Sequence, residues 1–231
     1  MSSPVKAQDP GYHPLNHRMP PGQAAAWMNT IHKYDPTWLQ PIRIELPTEG
    51  SVSVYSASPE PAAILASPAQ FSVNAGHWYR LRVADMPEFP GMEVYPSVEI
   101  LDHLHPPVGR EHDYPIPVVL TADDIRLALS GQMVTRVIYL EQPQLAAGYD
   151  PLRRDVPQSI ANRDNALQEA DRLGRPMLIV RVGGRIPTGP NVPPMFFGTG
   201  GALDFPAAPV AAGNATARLR LDSGAAGVAA R

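Results

Sequence analysis

Proline sets the first limit on this chain. It supplies 28 of 231 residues, about 12% against roughly 5% in average proteins. Each proline fixes φ and removes a backbone donor, so helix interiors and central strands hold few of them. Sixteen of the 28 fall in residues 1–61 and 187–209, and the rest mostly mark turns between short apolar segments. The distribution predicts a core of short elements between two proline-rich arms: an N-terminal arm over 1–40, a core over 41–186 and a C-terminal Pro/Gly/Ala-rich arm over 187–231.

The absence of cysteine excludes disulfides, thiolate metal sites, iron–sulfur clusters and cysteine nucleophiles. Only 18% of residues are charged and the net charge is -3, which argues against nucleic-acid binding through a general basic surface. No run of 18 apolar residues occurs, so no transmembrane segment is expected. The first ten residues lack the apolar segment of a secretion signal, which suggests a cytoplasmic protein or a chain given without its leader.

Within the N-terminal arm, Ala24, Trp27, Met28, Ile31 and Tyr34 recur at helical spacing. The pattern predicts a short amphipathic helix over 22–34, with Pro21 before it and Asp35-Pro36 after it. Its stripe of Trp27 and Ile31 is expected to lie on its own domain or, with Trp38, to dock on a partner subunit.

The middle of the chain alternates with period 2. Ile42, Ile44 and Leu46 form one set; Val52 and Val54, Phe71 and Val73, then Tyr79, Leu81 and Val83 form others. Val94, Pro96, Val98 and Ile100 alternate with Glu93, Tyr95, Ser97 and Glu99. Such patterns predict antiparallel strands with one packed and one wet face, and Pro96 marks an edge strand or a bulge. Ile116, Val118 and Leu120 form a strand ending at Thr121, which caps a helix with acids in its first turn. Met133 to Leu140 reads as an apolar strand in which Arg136 is the exception. A helix over 165–173 stops at Gly174, and a strand over 177–182 ends at Gly183-Gly184. About eight strands and two short helices predict a mainly β fold, an antiparallel β-sandwich of immunoglobulin-like architecture. The alternative is an α+β domain with the helices at 122–130 and 165–174 covering one sheet. From Pro187 onward periodicity is lost, and a flexible or partner-ordered arm is expected.

The densest polar cluster is Asp102, His103 and His105, followed by Glu111, His112 and Asp113. His-x-His on a strand places both imidazoles on one face, so His103, His105 and His112 are candidate Zn or Cu ligands, with Glu111 or Asp113 spare. No Gly-x-Ser-x-Gly nucleophile motif occurs, and Gly183-Gly184 and the run 198–201 lack the Walker ending. Asp123 and Asp124 are explained by the helix dipole. Trp78 and Trp38 are candidate platforms for carbohydrate, although Trp78 is better explained as packing under the N-terminal arm.

Residues 77–101, with their Pro-Gly-x-Glu-x-Tyr-Pro turn, 115–143, with Val-Ile-Tyr-Leu-x-x-Pro, and 165–184 together resemble a pattern in planctomycete-type bacterial envelope proteins. The resemblance implies a secreted or surface-attached chain and no catalytic residues. Taken with the two arms, it leads to the expectation of a non-enzymatic structural or interaction module whose arms dock on neighbouring subunits. The alternatives are a metal-binding protein or metal-dependent enzyme using the histidines, and a carbohydrate-binding module.

Overall fold

The alternating segments become two facing sheets. The structure, a computed structural model, describes residues 14–144, 159–161, 164–189 and 191–206. In chain order these form helix α1 (Gln23–His32) and strands β1 (Leu39–Glu45), β2 (Ser51–Tyr55), β3 (Ala63–Ala66), β4 (Ala69–Asn74), β5 (Trp78–Ala84), β6 (Ser97–Ile100) and β7 (Ile116–Val119). Helix α2 (Ala122–Leu129), strand β8 (Val134–Glu141), helix α3 (Ala166–Leu173) and strands β9 (Gly174–Val182) and β10 (Leu203–Asp204) follow. Among the described residues, one sheet has the order β10-β4-β1-β7 and the other β3-β2-β5-β6-β9-β8. All pairings are antiparallel except β1 with β7. The fold is a mainly β sandwich, as the alternation predicts.

The inner faces make the main core. Ile42 and Ile44, Phe71 and Val73, Val52 and Val54, Tyr79, Leu81 and Val83 join Val98, Ile100, Leu178 and Val180 in one cluster. Ile125 and Ala128 of α2 complete it. Thr121 caps α2 with a full reciprocal box: its hydroxyl accepts from the Asp124 amide, and the Asp124 carboxylate accepts from the Thr121 amide at 2.8 Å. Arg136, the misfit of the apolar β8 pattern, lies on the core side opposite Val180 and pairs with Asp124 at 2.8 Å.

The wet second face expected of the larger sheet does not exist at its centre. Arg80, Ser97, Glu99 and Arg181 project from that face, and all are buried. A second apolar cluster covers it, made of Leu15, Ala24, Ala25, Leu101, Leu167 and Ile179. The α+β alternative therefore captures one real feature, a helical layer. Its helices lie on opposite sides, however: α2 joins the inner core, and α3 the outer cluster.

Two further expectations are corrected, and one strand that no pattern announced is found. Pro96 marks no sheet edge, because β6 lies between β5 and β9. The Pro96 carbonyl accepts from the Leu81 amide at 2.8 Å, and its missing N–H leaves only the reciprocal bond to the Leu81 carbonyl unmade, one rung next to the doubly bonded Val83–Val94 pair. The Pro/Ala/Ser segment before Phe71 contains β3, which pairs with β2. The segment after Pro187 is ordered in part: a 3-10 turn (Pro194–Phe197) and β10 pack on the sandwich, with Phe197 only 4% exposed. Asn74 ties both ends of the chain together. Its side-chain amide donates to the Pro36 and Trp38 carbonyls, and its Oδ1 accepts from the Ala202 amide at 2.7 Å. Three further sequence features lie mostly or wholly outside the described residues: the stretch 142–162, whose Pro143, Pro151 and Pro157 suggest a linker, the glycosylation-type triplet Asn214-Ala-Thr216, and the alternating Arg218-Leu-Arg-Leu221.

Candidate functional site

The outer face of the larger sheet is where the sequence departs most from simple sandwich logic. Glu99 and Arg181 are diagonal neighbours on β6 and β9, with Glu99 opposite Ile179. Their Oε2 and Nη1 atoms stand 2.6 Å apart, at 0% and 5% side-chain exposure. The other carboxylate oxygen accepts from the Ala25 amide at 2.9 Å. Arg181 also donates to the His17 carbonyl and, at 3.1 Å, to the Met19 carbonyl. Each partner of the ion pair thus holds backbone of the N-terminal segment, which satisfies both charges where water is excluded. His17 extends the clamp: its Nδ1 accepts from the Ala166 amide at the start of α3. Burial pushes the His17 pKa down, and the nearby Arg18 and Arg181 charges act in the same direction.

Helix α1 sits on this clamp. It buries Ala24 and Ala25 and leans Met28 on the outer cluster. Gly22 opens the helix at φ +93°, directly against the Trp78 indole, where a Cβ would stand 2.4 Å from Cδ1. Trp78 is thereby sealed under the N-terminal segment at 5% exposure, which removes it as a sugar platform. The expected packing of Trp27 and Ile31 on the domain is overturned. Small residues make the buried contact, and Trp27 and Ile31, one turn apart, are 52% and 59% exposed. The inward stripe is the alanine stripe because the helix must approach the sheet closely to reach Glu99.

The third docking candidate, Trp38, belongs to a separate cluster beyond the end of α1. Trp38 lies 4.3 Å from the His103 ring, and His103 is 4.6 Å from His105 and 5.5 Å from Tyr34, measured between centroids. The Tyr34 hydroxyl donates to the Leu101 carbonyl, and burial holds its pKa well above the usual phenol value. Burial also lowers the His103 pKa, against the opposing pull of Asp102. The Asp102 carboxylate stands 3.6 Å from the His103 Nδ1, faces Arg175 at 3.3 Å and accepts from the His103 amide at 2.8 Å.

The histidine pattern does not form the site its spacing suggests. Residues 101–107 are not strand, so the two-residue spacing fixes no common face. His112 lies on a separate 3-10 turn (Glu111–Asp113), with Glu111 turned back onto the Gly109 amide and Asp113 onto Arg110. Among the described residues no three His, Asp or Glu side chains gather to hold a metal ion. The sequence singles out neither of the residues that matter most here: Glu99 falls in the polar half of an alternation, and Arg181 lies unmarked in the strand over 177–182. Their charges sit on central strands, and that position was the one available signal. Comparison with protein-family models, curated proteins and solved structures gives no match.

Proposed function

We propose that this chain is a non-enzymatic interaction module, a subunit of a bacterial envelope assembly, that meets its neighbours through the outer face of α1. The observation behind this reading is the contrast within that helix. Its inner side is fixed by a buried ion pair and a glycine–tryptophan contact, while its two largest apolar side chains face outward. A rigid helix that presents a tryptophan and an isoleucine one turn apart supplies what interface centres are enriched in. Covering the half of each side chain still exposed is worth on the order of 1 kcal/mol each in transfer free energy. Residues 14–38 and 191–206 lie on their own core, so neighbours are met by the outward face of α1 and not by these segments reaching across as free arms. The envelope setting rests on the resemblance of 77–101, 115–143 and 165–184.

Sedimentation of the full chain over a wide concentration range tests the reading, alongside a Trp27→Asp/Ile31→Asp variant. Wild-type protein is expected to self-associate or to retain a neighbouring subunit, and the variant to lose at least tenfold in that affinity with its melting temperature nearly unchanged. A wild-type chain that stays monomeric and retains no subunit, or a variant that associates equally well, counts against it.

A further inference from the structure

Five charged side chains are buried among the described residues: Arg80, Glu99, Asp102, Asp124 and Arg181. Four of them have an ion-pair partner, Glu99 with Arg181, Asp102 with Arg175 and Asp124 with Arg136. Arg80 is the exception. It is 7% exposed, its Nε donates to the Phe196 carbonyl at 2.9 Å, and its Nη1 donates to the Tyr95 carbonyl at 3.0 Å. Its guanidinium carbon lies 4.5 Å from the Phe196 ring centroid and 5.1 Å from that of Trp78. The second cation on the same ring is Arg185, 6.0 Å from the Phe196 centroid and itself exposed. Two guanidinium groups therefore share one aromatic ring, and no acidic side chain among the described residues pairs with either.

We propose that Arg80 and Arg185, held over Phe196, bind an oxyanion group of a ligand, a carboxylate or a phosphate. A buried charge without a counter-charge is costly, and two like charges brought together raise that cost. A carboxylate or phosphate between them removes both penalties at once and meets guanidinium donors with matching geometry. The carbonyls of Phe196 and Tyr95 hold Arg80 in place, and Arg185 lies on the same aromatic ring, so both cations stand beside Phe196 before a ligand arrives. Burial, followed by the charge of Arg185, lowers the Arg80 pKa to about 10, which leaves it protonated at neutral pH. The exposed position of Arg185 gives the ligand its way in. The site does not depend on the exposed face of α1, so it stands or falls separately from the proposed subunit contact.

The test compares thermal melting of the full chain at pH 7 in chloride, inorganic phosphate and acetate at matched ionic strength. A saturable rise of at least roughly 3 °C in phosphate, acetate or both, at about ten times the dissociation constant, supports the site. Whichever anion acts identifies the group recognised. Arg185→Gln, a change at an exposed residue that removes the like charge beside Arg80, should melt no lower than wild type in chloride and lose most of the rise. Arg185→Glu places a carboxylate beside Arg80 within the chain; it should melt above Arg185→Gln in chloride and gain nothing from added anion. Phosphate and acetate acting no differently from chloride, or acting equally on Arg185→Gln, would overturn the proposal. So would an Arg185→Glu protein that melts no higher than Arg185→Gln.

Discussion

Glu99 and Arg181, on adjacent central strands, form one ion pair that grips the N-terminal segment from both of its members: the carboxylate takes the Ala25 amide and the guanidinium takes the His17 and Met19 carbonyls. Replacing one member leaves the other buried and unpaired. Glu99→Gln is expected to cost roughly 3–5 kcal/mol, read as a lower urea midpoint. Glu99→Leu combined with Arg181→Met should cost less than the two single changes added together. Strict additivity would show that the pair is not coupled.

At Gly22 the backbone has φ +93°, and an added Cβ would collide with the Trp78 ring. Gly22→Ala should therefore lower stability by about 1–3 kcal/mol and shift the tryptophan emission towards the red as Trp78 becomes hydrated. An alanine variant as stable as wild type, with unchanged emission, would show that the helix can start elsewhere.

The cap of α2 separates two contributions. Thr121→Ala removes a hydroxyl acceptor and should cost about 1 kcal/mol, with Thr121→Ser restoring most of it. Asp124→Ala removes the reciprocal cap bond and also the partner of Arg136, at a site that is 4% exposed. It should be the more damaging change, and chemical denaturation of the three variants ranks them.

Acid should weaken the fold through its histidines. Burial lowers the pKa of His17, His77 and His103 below the ordinary value of 6.5. The unfolded chain then binds more protons than the folded one, so stability rises with pH in this window. The contribution is complete above 6.5 and fades as pH falls through the lowered folded values. Melting temperatures measured from pH 7.5 to 5 should decline, and His17→Gln should flatten part of that decline. A His17→Gln profile parallel to wild type would remove His17 from the account.

The inner core was readable because each of its residues follows a local rule. Ile42 and Ile44, Val52 and Val54, and Tyr79, Leu81 and Val83 alternate, and alternation needs no knowledge of distant residues. Thr121 and Asp124 cap their helix within four positions. The outer layer was not readable, since it depends on distant partners. Glu99 meets Arg181 across 82 residues, and Arg80 meets the Phe196 carbonyl across 116. Alternation alone assigns such charged residues to water. The histidine spacing misleads for a related reason: it has geometric meaning only on a regular element, and residues 101–107 lack one. Trp27 and Ile31 lie on a helix as their spacing predicts, yet they face outward, because helical period does not say which stripe wins when alanines permit a closer approach.

The clamp also sets an order of events during synthesis. A ribosome releases Glu99 long before Arg181, so the nascent chain carries an unmatched carboxylate on a strand that will become central. Helix α1, although made early, has no complete seat until β9 has emerged and paired with β6. The α1 segment therefore settles late: β6 and β9 must pair before it has its seat, which reverses the usual precedence of early-made structure.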